Sequence, residues 1–427
     1  MTIRSNYYLF LCVVLFSCEK EQEKLELKES VFVYKNNNEQ QFSAFVSDTT
    51  IHADYPHKKS THFSMVQFTG RFANYTKADT WYPSWSSDGN LYSPWTDGEI
   101  GSSKSFSGGG DATTGQARIE GDDPLNLQVI NLGILKASPT PYKGRYPCGS
   151  LVYNGIWYYG TYTLNYADYG LNWAILGPFS GFHISHDMGK TWKESPISNS
   201  PGKTLFSEPN KMNGPVKIGA PHFVDFGKNM EYSPDGKAYL VGHGAIENDL
   251  EDRKANLSWI TGDQIYLCRV TPSPENMNHE EAYEYFAGHN ESGNPIWSDD
   301  FKLIQPILDW DNNTGCVTIT YNAPLKKYIM CVTDGWPTVE KMNTYLMESD
   351  NVTGPWNMIT YLKDFGPQAY FVNIPSKFIS NDGLTMWLCF SANYTNNENR
   401  YNPIYLKNTN PPGSAYSLSL HEMRLKN

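Results

Sequence analysis

Five stretches of the chain repeat one plan: an apolar strand, a tight turn, a second apolar strand, then a small residue. They read DTWYPSWSSDGNLYSPWTDG, YPCGSLVYNGIWYYGTY, APHFVDFGKNMEYSPDGKAYLVGHG, GCVTITYNAPLKKYIMCVTDG and IPSKFISNDGLTMWLCFSAN. Turn residues sit between the strands: Ser87-Asp88-Gly89, Asn154-Gly155, Pro234-Asp235-Gly236 and Asn381-Asp382-Gly383. Asn, Asp and Gly tolerate the left-handed backbone that a two-stranded turn needs. The hairpins recur roughly 60 to 95 residues apart, with further strand-like sequence between them. Self-similarity at that period points to the blades of a single β-propeller, an all-β fold in which ring closure removes sheet edges. Five blades are legible this way. VFVYK near the start and YSLSLHEMRL at the end are suited to pair and close the ring. Two β-sandwiches would also be all-β, but no linker marks the middle of the chain.

Composition agrees. Aromatic residues make up 14% of the 427 residues, with 12 Trp and 29 Tyr, and Gly and Pro number 34 and 26. Such usage favours strands and turns over helices. The net charge of −11 argues against a nucleic-acid partner, which selects for basic patches.

The chain opens with Arg4, an apolar run from Tyr7 to Phe16, then Ser17 and Cys18. That run is too short to span a bilayer and reads as a targeting signal. Leu15-Phe16-Ser17-Cys18 resembles a bacterial lipobox, which would make Cys18 the lipidated first residue of the mature chain. The following EKEQEKLELKES is a solvated tether, and the acidic start resembles that of surface-exported lipoproteins of the Bacteroidota. The expected organisation is a signal peptide over 1–18, a tether over 19–30 and the propeller over 31–427. It implies an outer-membrane lipoprotein facing the periplasm or the cell surface. Cys148, Cys268, Cys316, Cys331 and Cys389 lack metal-site spacing and read as buried thiols.

Ser185-His186-Asp187-Met188-Gly189-Lys190-Thr191-Trp192 fits the Asp-box pattern S-x-D-x-G-x-T-W of sialidase-like propellers. Asp187 accepts backbone N–H bonds, Gly189 permits positive φ and Trp192 anchors the strand. In the propellers it resembles, the box lies on outer turns, so Asp187 is read as structural. His183 and His186 point to opposite faces of a strand and make a poor metal pair.

In a propeller the inner strands line a central channel, and residues at their starts converge. Those starts carry His62, Trp81-Tyr82, Arg145-Tyr146, His222, Asp263-Gln264, Asn322 and Gln368. A polar, aromatic-lined pocket follows. Serine-hydrolase, zinc-protease, P-loop and dinucleotide motifs are missing. No carboxylate pair stands out among the scattered acids, which favours chemistry built on His, Tyr and Arg. One such chemistry is β-elimination from a uronic acid, in which charge grows on the sugar carboxylate.

Long strings such as DYPHKKSTHFSMVQF, RYPCGSLVYNGIWYYGTY, GAPHFVDFGKNMEYSPDGKAYL, NLSWITGDQIYLCRVTPSPEN and CVTDGWPT resemble glycoside hydrolase family 145 and the related polysaccharide lyase family 42. The resemblance runs from about Tyr55 to the C-terminal strands. It implies seven blades and release of L-rhamnose from rhamnose-α-1,4-glucuronate caps of arabinogalactan or gum arabic. Both hydrolysis and elimination occur among the relatives. The lyase-type cluster would take His62, Tyr82, Arg145 and His222. A hydrolase site on the opposite face would use His52 or His57. Trp81, Trp85, Tyr146, Gln264 and Gln368 are the expected substrate-binding residues. No cofactor is required by the sequence, a divalent cation such as calcium is compatible with it, and a monomer is expected. The alternative is a non-catalytic glycan-binding propeller.

Overall fold

The hairpin around Asn154-Gly155 shows how the pattern becomes structure. Arg145–Tyr153 pairs antiparallel with Ile156–Leu164, setting Leu151 opposite Tyr158 and Val152 opposite Trp157. Asn154 and Gly155 take φ of 51° and 79°, the left-handed turn their identities predict. Tyr158 and Trp157 fall on opposite faces of the sheet, as a period of two requires, and both are fully buried. Both faces are covered, so the blade is packed between neighbours.

The computed structural model describes residues 34–36, 52–108, 111–136, 145–164, 176–197, 204–209, 215–246, 258–335 and 342–427. All of them belong to the unit Val31–Asn427. Each of the five sequence hairpins forms the inner part of one sheet. The other four pair Ser84–Trp85 with Leu91–Ile100, His222–Phe223 with Ala238–Gly244, Val317–Asn322 with Lys327–Asp334, and Tyr370–Asn373 with Thr385–Ser391. The fold is all-β, a five-blade propeller arrangement. Seven blades, implied by the family resemblance, are corrected to five sheets among the described residues.

Hydrogen bonds tie the inner strands head to tail around the axis. Val152 N donates to Ser84 Oγ (2.9 Å), and Gly149 N to the Pro221 carbonyl (2.9 Å). Asp225 N donates to the Ile319 carbonyl (2.9 Å). Thr318 and Thr320 hydroxyls donate to the carbonyls of Val372 (2.8 Å) and Ile374 (2.7 Å). Asn373 Nδ2 reaches the Trp81 carbonyl (2.8 Å) and completes the circuit.

The last sheet is composite. Ser419–Lys426 pairs with Thr385–Ser391 on one side and with Met65–Asn74 on the other. The N-terminal partner is thus the strand that begins in HFSMVQFTG. Tyr34–Asn36, from VFVYK, adds one strand further out. The Asp-box turn forms with Asp187 accepting from Thr191 N (2.8 Å) and Thr191 Oγ1 (2.7 Å), while Trp192 packs on Trp157 at 5.1 Å. These bonds hold the Asp187 carboxyl down at about 2. Cys148, Cys268, Cys316, Cys331 and Cys389 are buried free thiols.

Thr320 is 3% exposed, so Thr320→Val would leave the Ile374 carbonyl without its donor at nearly unchanged volume. The expected cost is about 1–3 kcal/mol, read as a lower urea midpoint at constant slope. An unchanged midpoint would show that this inter-blade bond contributes nothing.

Candidate active site

The first hairpin begins on Asp79 and ends on Asp97. Antiparallel pairing brings those ends together, with Asp79 opposite Thr96. Asp97 adopts φ 46° where the strand turns away. Gly98 follows because a Cβ there would sit 2.0 Å from the Lys77 carbonyl oxygen. The close approach of two backbones therefore places a carboxylate beside a carboxylate.

Asp79 is buried and accepts from Tyr370 Oη (2.8 Å) and Thr80 Oγ1 (2.9 Å). Asp97 accepts from Ser107 N (2.7 Å) and the Ser107 hydroxyl, and its carbonyl accepts from Tyr416 Oη (2.7 Å). Burial lifts the Asp79 carboxyl well above the usual range, and the neighbouring charge of Asp97 adds to it. Burial also raises Asp97, against the pull of its Ser107 bonds. Two carboxylates in one low-dielectric pocket resist ionising together, so one tends to keep a proton while the other is charged.

Beside Asp97 opens a cleft of about 620 Å³, lined by Asp97, Glu99, Phe106, Arg400, Tyr401 and Tyr416 with Lys77 and Lys104, while Asp79 stays buried behind it. Phe106 is 66% exposed. Lys77 and Lys104 both face Glu99, at 3.3 and 3.8 Å. The Arg400 guanidinium lies over Tyr416 at 4.5 Å and Tyr401 at 5.4 Å. Tyr146 stacks on Tyr162 (5.4 Å), and burial together with the charge of Asp97 pushes its hydroxyl up to about 12. Carboxylates, hydroxyls and exposed aromatic surface in one cleft form a set able to bind a sugar and move a proton.

Tyr82 and His222 also meet, but deeper, where the inner strands close in. Their rings stack at 3.8 Å, and both side chains are buried. The Tyr82 hydroxyl lies beside the Cys316 thiol. Neither His222 nitrogen has a hydrogen-bond partner among the described residues. Burial, then the neighbouring His243, drives its pKa down to about 3. The cavity at this level, about 30 Å³ between Tyr82, His222, Asp225, Thr318 and Thr320, has room for about one water.

The remaining expected residues are dispersed. Arg145 pairs with Thr163 in its strand, and its side chain lies outside the described residues. His62 is half exposed, with Nδ1 2.9 Å from Glu348 of the fourth sheet, so it does not join Tyr82 and His222. His52 packs edge-on against Trp310, Tyr345 and Tyr361, and His57 against Tyr55. Trp81, expected to face substrate, is instead 1% exposed in the core, its indole N–H donating to the Ala78 carbonyl. Trp85 is half-buried against the same core. Gln264 donates to Asp309 (2.9 Å), and Gln368 accepts from the Thr395 hydroxyl (2.9 Å). Cys18 lies outside the described residues. Among the described residues no group of three or more His, Cys, Asp or Glu side chains could hold a metal ion.

No family model matches the chain and no curated protein matches its sequence, so the likeness to families 145 and 42 stays an expectation. Among solved structures, a Bacteroides ovatus protein is 13% identical over 92% of this chain and 97% of its own, with a TM-score of 0.47. The GH43_1 enzyme from Xanthomonas citri is 14% identical over 82% and 88%, TM-score 0.42. The alpha-L-arabinofuranosidase PaAbf62A from Podospora anserina is 10% identical over 87% and 94%, TM-score 0.40.

The raised carboxyl of Asp79 fixes the sign of a pH effect. The folded chain holds this proton to higher pH than the unfolded chain, so stability falls as pH climbs from the ordinary aspartate value of about 3.9 through the raised one. Asp79→Asn lacks that loss. Its urea midpoint relative to the parent should rise steadily from pH 4 to pH 8. A margin that stays flat or shrinks would refute the buried-charge account.

Proposed function

We propose that this protein is a carbohydrate-active enzyme that cleaves a glycosidic bond in the cleft beside Asp97. The observation that carries the reading is an aromatic-rimmed cleft whose lining includes Asp97, with the buried Asp79 carboxyl behind it. The protonated member of the Asp79 and Asp97 pair would give its proton to the leaving oxygen. The charged member would activate water or attack the anomeric carbon, according to their separation. A carboxylic proton donor working with a charged carboxylate is the arrangement of glycosidic hydrolysis.

The rhamnose-α-1,4-glucuronate cap of arabinogalactan or gum arabic is the substrate supported by the sequence resemblance. Work at the cell surface is supported by the lipobox around Cys18. Cys18→Ala should shift the protein from the membrane to the soluble fraction; unchanged partitioning would remove the anchor from the proposal.

Incubation with a rhamnosyl-glucuronate oligosaccharide should release rhamnose without the ultraviolet absorbance of an unsaturated uronate. Asp79→Asn and Asp97→Asn should each lower kcat by about 10²–10⁴-fold. Appearance of that absorbance would replace hydrolysis by elimination. Glycan binding with no turnover at any pH would sink the enzyme reading and leave a binding module.

A further inference from the structure

Three cations line the cleft, and their surroundings differ. Lys77 and Lys104 share Glu99. Arg400 has no carboxylate within ion-pair distance among the described residues, and its Nε is buried without a hydrogen-bond partner. What holds it is aromatic: the guanidinium lies 4.5 Å from the ring centre of Tyr416 and 5.4 Å from that of Tyr401. Tyr416 is itself fixed to the first blade through its hydroxyl on the Asp97 carbonyl (2.7 Å). Arg400 is partly exposed, so its charge faces the cleft while Nε is shielded and the aromatic faces hold the guanidinium in place.

We propose that Arg400 selects substrates that carry a carboxylate, by pairing with a uronate in the cleft. The proposal rests on the cleft being a glycan site. Because Nε is shielded, the two terminal nitrogens are the donors left to a ligand. They form the planar fork that matches the two oxygens of a carboxylate. Stacking on Tyr416 limits the planes that fork can adopt, so the pairing sets ring orientation as well as affinity. Arg400 would therefore hold the uronate while Asp97, in the same cleft lining, meets the bond to be cleaved. A sulfated sugar shares the negative charge but presents a tetrahedral group.

Equilibrium binding of free glucuronate, glucose and glucose 6-sulfate to the parent, Arg400→Met and Arg400→Lys proteins tests this. The parent should bind glucuronate about 10- to 100-fold more tightly than glucose, the range of a charge-assisted pair. Arg400→Met should abolish that preference, and Arg400→Lys should restore part of it. The ratio of two ligands on one preparation does not depend on how much of a variant is folded. A preference that survives in Arg400→Met, or its absence in the parent, overturns the proposal. Tighter binding of the sulfate than of glucuronate overturns the carboxylate assignment. If no glycan is cleaved yet the preference depends on Arg400, the cleavage reading fails and this one stands. Cleavage with an unchanged preference in Arg400→Met has the opposite meaning.

Discussion

A ring of blades is closed only if its two ends meet, and here they meet between Met65–Asn74 and Ser419–Lys426. That pairing makes one sheet from strands about 350 residues apart, and long-range pairing of this kind brings no return until the intervening chain is ordered. Everything nearer the axis depends on it. The inner strands are held by one or a few hydrogen bonds from blade to blade, several of them from a serine or threonine hydroxyl to a carbonyl. Each such bond is worth little alone. Together they are effective because the closed ring leaves no inner strand free to drift away from its neighbour.

The same circuit explains why the channel is not the open part of the molecule. Five inner strands approach closely, and Tyr82, His222 and Cys316 fill the axis at the level of the stacked rings. Space reappears where the first blade and the C-terminal segment diverge, and Asp97, Arg400, Tyr401 and Tyr416 line it. The carboxylates gain their unusual protonation from the position of one hairpin end. The raised proton affinity is a cost of burial that the Tyr370, Thr80 and Ser107 bonds reduce without removing.

Much of the fold was legible in the sequence, because strand alternation and turn chemistry are local. Asn154-Gly155 announces its hairpin without help from the rest of the chain. The closing partner was harder. Tyr34–Asn36 and Met65–Asn74 both suit an edge, and only the three-dimensional path decides which lies next to the last strand. Depth was harder still: Trp81 and Tyr82 lie just before the inner strand Ser84–Trp85, yet both are packed inside. The Asp79 and Asp97 pair depends on the register shift and positive φ at Asp97, which the sequence does not reveal. Arg400 carries no signal either. It follows the last hairpin, and its place is set by how the segment through Tyr416 docks on the first blade.

That docking bears on when the protein can work. Asp79 and Asp97 precede Arg400, Tyr401, Tyr416 and the closing strand by about 300 residues, so they are synthesised first. A chain emerging N-terminus first holds its carboxylates long before it has the rest of the cleft. The cleft wall formed by Arg400, Tyr401 and Tyr416 leads directly into the strand that shuts the ring, so closing the fold and completing the cleft are one event.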